Sequence, residues 1–296
     1  MSEPFDVIEA GSKGSKGRRR RLGAALLLVP AVVVVIGLLA TRGSGPAEPK
    51  ASPTPAPTAS RVTTPNVVNP EARRDGDDEI IDVVFPDGTQ AEVRYPRQLG
   101  LAAMGVRPML GGWLDGEMTQ YRQLIAPYEG QAEVSRGGQA LRDLTGNVTL
   151  WPRQPGGGSG QVLLFAFGDW RLALYDRSQG LTFEQRMTWA RNLTGKVTDD
   201  GFLVLSARKP LRLAEPGESG WNREPAGPQL WFGPPDGPTV VLVPTPVCRA
   251  NPRPPSVLIE ARGRFTYLCR DGLSIGASGP GDWVTQAIEG IRVRLK

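Results

Sequence analysis

The residues from Leu22 to Ala40 form a run of nineteen residues without a charged side chain, LGAALLLVPAVVVVIGLLA. An α-helix of this length would be about 28 Å long, close to the hydrocarbon thickness of a bilayer. Four arginines, Arg18, Arg19, Arg20 and Arg21, directly precede the run. Because flanking basic residues stay on the cytoplasmic side, the sequence predicts a short basic cytoplasmic tail over 1–21 and a transmembrane helix over 22–41. Everything after this helix is then extracytoplasmic, and the four arginines are expected to contact anionic lipid.

A cleaved signal peptide shares the basic start and the apolar core, and it is the alternative interpretation. Cleavage after Ala47 would use the small residues Gly45 and Ala47, with Pro46 between them. The apolar core of a signal peptide is normally shorter than this run. We therefore expect a single-pass protein of the cell membrane, with a secreted protein as the alternative.

The segment 42–75 is rich in Pro, Ser and Thr, and it is predicted to be an extended extracytoplasmic linker. The remaining residues, 76–296, are long enough for one large domain, with a subdivision near 150–160 as the alternative. This part holds 24 Lys and Arg against 24 Asp and Glu, so the formal net charge of +5 belongs to the residues before it. A neutral domain predicts no nucleic-acid partner.

The outer domain has the pattern of a strand-rich fold. Three hairpins are predicted from pairs of apolar runs separated by turn residues. They are Ile80–Phe85 with Gln90–Tyr95, Val162–Phe167 with Trp170–Tyr175, and Val257–Ala261 with Arg264–Cys269. Two further apolar runs of strand length are Phe202–Ser206 and Thr239–Val243.

Two helices are predicted from capping residues and helical spacing. Thr182 and Gln185 have the spacing of a capping box, and Gly195 is interpreted as the helix stop. Asp282 is predicted to cap a second helix near the C-terminus, with Val284 and Ile288 on its apolar face.

Each predicted helix follows a predicted hairpin. Overlaying 162–197 on 257–292 without gaps aligns hairpin with hairpin and helix with helix. This suggests two related strand–strand–helix units. The predicted fold class is α+β, mainly antiparallel, with a few packed helices.

Cys248 and Cys269 are the only cysteines. The predicted hairpin brings both to the same end of the sheet, which is the geometry a disulfide needs. A redox or metal pair is the alternative, but the spacing is not Cys-x-x-Cys and the chain has no His to complete a zinc site. We expect a structural disulfide, and we expect neither a metal nor a cofactor.

The Gly- and Pro-rich segment 215–238 carries Trp221, Trp231 and Phe232. Loops that present aromatic rings often bind glycans or peptides, so these three are candidate ligand-binding residues. The alternative is that the rings cover part of the core.

No catalytic residues are predicted, because His is absent and no nucleophile motif stands out. The sequence favours an envelope protein with a non-catalytic binding, structural or regulatory outer domain. Alternatives are a carboxylate-dependent cell-surface hydrolase and a cell-wall glycan-binding module, with glycan or another envelope protein as partner. The layout is similar to that of many actinobacterial envelope proteins, a likeness of organisation that implies no activity.

Overall fold

The computed structural model describes residues 65–136, 138–153, 160–176, 180–248, 253–261 and 263–296. The predicted cytoplasmic tail, the transmembrane helix and the linker up to residue 64 lie outside them. No helix of the described residues is long and apolar enough to cross a membrane.

These residues form seventeen strands and five α-helices, numbered here in chain order. The strands are β1 Ala72–Asp75, β2 Asp78–Val84, β3 Gln90–Pro96, β4 Val106–Leu114, β5 Tyr121–Ile125, β6 Arg142–Thr145, β7 Val148–Trp151, β8 Val162–Phe167, β9 Trp170–Tyr175, β10 Leu193–Val197, β11 Leu203–Ala207, β12 Leu211–Leu213, β13 Gln229–Phe232, β14 Thr239–Pro244, β15 Arg264–Arg270, β16 Leu273–Gly279 and β17 Arg292–Leu295. The helices are α1 Leu101–Met104, α2 Gln131–Ser135, α3 Phe183–Asn192, α4 Ser256–Glu260 and α5 Gly281–Gly290.

Every strand pair of the three sheets is antiparallel. The large sheet has the order β15-β16-β14-β13-β4-β5-β9-β8-β7-β6, and β12 also pairs with β4. A four-stranded sheet has the order β1-β2-β3-β17, and β10 pairs with β11. The mainly antiparallel architecture with few helices is therefore confirmed.

The large sheet is built from two units with the same order of elements. The first unit is β4-β5-α2-β8-β9-α3, and the second is β13-β14-α4-β15-β16-α5. The inner helices α2 and α4 each have 5 residues, and the final helices α3 and α5 each have 10. Across the central β4–β13 pair the strand order is palindromic, β15-β16-β14-β13 against β4-β5-β9-β8. The first unit contains an additional hairpin, β6-β7, between α2 and β8.

Alternating residues of the large sheet pack on its two faces, as expected for a buried strand. In β8, Leu163 and Phe165 face the cluster that contains α3, whereas Val162 and Leu164 face α2. In the second unit, α5 and the four-stranded sheet enclose one cluster, and α4 packs on the opposite face. Both faces of the sheet are therefore covered by helices.

The first two predicted hairpins are confirmed as β2-β3 and β8-β9. The third is wrong, because its first predicted strand is the helix α4, and β15 pairs with β16 around Asp271 and Gly272. Pro255 directly precedes α4. A Cβ on Gly276 would lie 2.2 Å from Leu258 Cδ1, so this glycine provides the space in which α4 packs. The gapless overlay of 162–197 on 257–292 is therefore wrong, although the order of hairpin and helix recurs.

Both predicted helices are present. Thr182 and Gln185 form the capping box of α3, which ends at Asn192. The second helix, α5, begins at Gly281 after Pro280, so Asp282 lies in its first turn and is not the cap.

Residues 65–75, which the sequence analysis assigns to the linker, pack against the domain. Asn66 Nδ2 donates to the carbonyl oxygens of Pro127 at 2.9 Å and Arg171 at 2.7 Å. Val68 pairs with Val106, and β1 pairs with β2.

Candidate functional site

The predicted disulfide between Cys248 and Cys269 is present, with a Cα–Cα distance of 5.4 Å. Cys248 follows β14 and Cys269 lies near the end of β15, and both strands flank β16. The bond spans the beginning of β16, where the backbone N–H of Thr245 also donates to Gly272 O at 2.8 Å. The pairing of Cys248 with Cys269 was therefore predicted correctly, although the predicted hairpin on which it rested is absent, because Val257–Ala261 does not form a strand.

A loop leaves the large sheet in its middle, between β12 and β13. Both strands pair with β4, and residues 214–228 connect them. Both ends of the loop are hydrogen-bonded to Gly111 of β4. The N–H of Gly111 donates to Ala226 O at 2.7 Å, and its carbonyl oxygen accepts from Ala214 N at 2.8 Å. The ring of Tyr121 lies under the loop so closely that a Cβ on Gly220 would be 2.3 Å from it.

The loop presents Trp221, whose exposed fraction is 50%. The next two residues, Asn222 and Arg223, have φ angles of 59° and 63°. Asparagine tolerates this left-handed region, whereas for arginine it is uncommon and carries strain. Two consecutive residues of this kind indicate that the surrounding structure fixes the shape of the loop.

The other two candidate aromatic residues do not lie in the loop. Trp231 and Phe232 belong to β13, at the centre of the sheet, with exposed fractions of 6% and 0%. Trp231 Nε1 donates to Gln229 Oε1 at 2.9 Å, and the guanidinium of Arg107 lies 5.2 Å from the ring centroid. An exposed platform of three rings therefore does not form, because alternate residues of a central strand face the two cores. Trp221 is the candidate that the structure leaves exposed.

A cavity of about 200 Å³ lies between this loop and the disulfide-linked strands, and we call it the disulfide cavity. The loop contributes Glu218 and Arg223 to its lining. The opposite wall contains Arg253, Tyr267 and Ser274, among others. Its volume is below the range of about 300–1,000 Å³ that is typical of pockets for drug-sized ligands, so it suits one small group of a ligand.

The charges around the disulfide cavity do not balance. Glu218 is neutralised by Arg212, whose Nη1 lies 2.8 Å from one of its carboxylate oxygens. Arg223 and Arg253 form no ion pair with any carboxylate in the described part of the chain. Two guanidinium groups therefore give the cavity positive charge that an anionic ligand could neutralise.

Three hydroxyl groups lie along the other wall. The hydroxyl oxygens of Ser274 and Thr245 are 3.0 Å apart, and Thr245 Oγ1 donates to Val243 O at 2.9 Å. Burial raises the pKa of Tyr267, and the nearby Ser274 hydroxyl opposes this in part, so the Tyr267 hydroxyl stays protonated at neutral pH. This wall can donate and accept hydrogen bonds without carrying charge.

A second polar cluster is buried away from this cavity. Asp176 accepts from Arg122 Nε at 3.0 Å and from the N–H of Leu181 at 2.6 Å, and it lies 3.4 Å from Arg186. Its side chain is almost completely buried, so this cluster ties Leu181, just before α3, to Asp176, just after β9. The described residues contain no group of three or more His, Cys, Asp or Glu that could hold a metal ion.

Arg223, Arg253, Tyr267 and Ser274 were missed by the sequence analysis. They are distant in sequence, and none belongs to a motif. The signal that was available is the combination of a cysteine pair with a Gly- and Pro-rich loop nearby in sequence. The chain matches no protein-family model, no curated protein and no solved structure.

Proposed function

We propose that this chain is a single-pass envelope protein whose outer domain binds a small anionic group in the disulfide cavity without transforming it. The observation that carries the proposal is the pair of arginines, Arg223 and Arg253, that line a concave site without a carboxylate partner among the described residues. Both side chains are exposed at the rim of the cavity, where their guanidinium groups can each pair with a carboxylate or a phosphate group.

The proposed location rests on two features. The apolar run Leu22–Ala40 with its preceding arginines supports a membrane anchor with the domain outside. The Cys248–Cys269 disulfide supports an oxidising compartment.

The two alternatives receive different support from the cavity. A hydrolase that uses two carboxylates needs both in one cleft, about 5–10 Å apart. Among the described residues the lining contains one carboxylate, Glu218, and it is ion-paired. A glycan-binding module retains one argument, the exposed ring of Trp221 near the cavity.

The test uses the full chain in detergent micelles and three probes: inorganic phosphate, glucuronate and glucose. Binding is followed by calorimetry and by tryptophan fluorescence. We expect phosphate or glucuronate to bind, and glucose to bind at least tenfold more weakly. Arg223→Gln and Arg253→Gln should each weaken anion binding about tenfold or more, since each removes a charged hydrogen bond.

Arg97→Gln is the matched control, because Arg97 is exposed and lies outside the cavity lining. Equal binding of glucose and glucuronate, lost in Trp221→Ala but unchanged in the arginine variants, would favour the glycan-binding alternative. Absence of binding by all three probes would contradict the proposal.

A further inference from the structure

In the part of the chain that the structure describes, the outer edge of β15 is open. Among the described residues β15 pairs only with β16, so the backbone groups on its other side have no strand partner. In the first unit β8 occupies the corresponding position, and its outer edge is paired with β7. Five of the six residues of β8 are buried, whereas none of the seven residues of β15 is.

The difference arises at one point of the chain. The first unit contains the β6-β7 hairpin between α2 and β8. The second unit has only residues 261–263 between α4 and β15. In the first unit, β7 therefore pairs with this edge of the sheet. No strand of the described residues occupies the equivalent place in the second unit.

The side chains along β15 divide between the two faces of the sheet. Leu268 packs in the cluster that contains α5, so Arg264, Thr266 and Arg270 share its face. Tyr267 packs in the cluster of α4, so Phe265 lies on that face. Phe265 has an exposed fraction of 42%, and Ile259 of α4 has 49%. An added strand would cover apolar surface on this face.

Two arginines lie at the ends of the other face. Neither Arg264 nor Arg270 forms an ion pair with a carboxylate of the described residues. The guanidinium of Arg270 donates to Ile291 O. Burial and the nearby Arg292 lower the pKa of Arg270, and the carboxylate of Asp271 opposes this shift in part. The open edge therefore carries positive charge at both ends.

This charge distribution disfavours a second copy of the chain in the register that pairs all seven residues of β15. In a symmetric antiparallel pair centred on Tyr267, Arg264 of each copy would lie opposite Arg270 of the other. Like charges directly opposite each other destabilise a strand pair.

We propose that the β15 edge is a docking site for an extended segment of another protein, which adds to the sheet as a further antiparallel strand. Main-chain hydrogen bonds provide affinity in this mode of recognition, and alternate side chains provide specificity. The segment carries carboxylates six residues apart, opposite Arg264 and Arg270, and apolar side chains on the face of Phe265.

Two synthetic peptides test the proposal against the full chain in detergent micelles. The first is acetyl-Gly-Glu-Val-Thr-Val-Thr-Val-Glu-Gly-amide, and the second has Lys in place of both Glu. At low salt we expect the Glu peptide to bind at least about tenfold more tightly than the Lys peptide. At each end of β15 the Glu peptide forms an opposite-charge pair where the Lys peptide forms a like-charge pair. Hydrogen exchange should show new protection of the β15 amides, and fluorescence anisotropy should give the affinities.

Arg264→Glu should abolish the preference for the Glu peptide, and Arg97→Glu should leave it unchanged. Arg264 is exposed, so this variant is expected to fold, and the hydrogen-exchange pattern of the remaining strands checks that it does. The proposal is overturned if both peptides bind equally, or if binding leaves β15 unprotected. It is also overturned if sedimentation shows dimers of the chain that pair through β15.

Discussion

Two tryptophans of the same segment have opposite environments. Trp221 is half exposed in the loop, whereas Trp231 is buried in β13 beneath Arg107. A similar ambiguity affects Gly195, which the sequence analysis interprets as a helix stop. It lies in β10, where a Cβ would come within 2.6 Å of the Phe167 ring. Both Trp231 and Gly195 stand out in the sequence. Their environments, however, are set by residues of other strands, Arg107 for Trp231 and Phe167 for Gly195.

Gly195→Ala should therefore destabilise the domain by about 1–3 kcal/mol, since the added methyl group overpacks a filled contact with Phe167. Urea unfolding of the purified variant measures this change. Gly146→Ala is the control, because a Cβ at Gly146 meets no atom within 4 Å, and we expect its effect to stay within about 0.5 kcal/mol. Equal stability of the two variants would show that the Phe167 contact is not tight.

At the scale of elements, local signals were sufficient where a turn and a capping box supplied them. The β2-β3 turn contains Gly88 with a φ of 92°, and Thr182 and Gln185 satisfy each other's backbone N–H groups at the start of α3. The helix α4 has 5 residues, too few for a helical period to be visible, and its apolar run resembles a strand. The space in which it packs is left by Gly276, which belongs to β16.

The disulfide joins two elements, and its loss should destabilise them together. Cys269→Ser should reduce the free energy of unfolding by roughly 2–4 kcal/mol, because the bond closes a loop with a sequence separation of 21. Cys248→Ser and the double variant should show the same loss, since each removes the same bond. If urea melts of the wild type with and without reductant coincide, although mass spectrometry confirms the bond in the unreduced sample, the bond has no structural role.

At the scale of the whole molecule, the large sheet is organised by two units that meet at β4 and β13. The connection from the hairpin to the final helix differs between them, from Tyr175 to Phe183 in the first unit and from Gly279 to Gly281 in the second, so a gapless overlay could not align both elements. Among the residues with described positions, the units also differ at the sheet edge, since the outer edge of β15 is unpaired, whereas that of β8 pairs with β7. The two proposed binding surfaces, the disulfide cavity and the β15 edge, both belong to the second unit and its neighbouring loop.

The proposed membrane topology also belongs to this scale. Protease added outside intact spheroplasts should remove the folded domain, while the fragment that contains Leu22–Ala40 remains with the membrane. Immunodetection with tags at the two ends measures both products. Soluble protein in the medium that lacks its N-terminal residues would instead support the signal-peptide alternative.

The sequence by itself determined the strand-rich class, two of three hairpins, both long helices and the pairing of Cys248 with Cys269. These features depend on periodicity, turn residues and capping, which act over a few neighbouring positions, and on a cysteine count that allows one pair. Only the tertiary structure decided which aromatic rings are exposed, that α4 is a helix, and that Arg223 and Arg253 share a cavity. These outcomes depend on contacts between residues far apart in the chain, whose free energies no local pattern records.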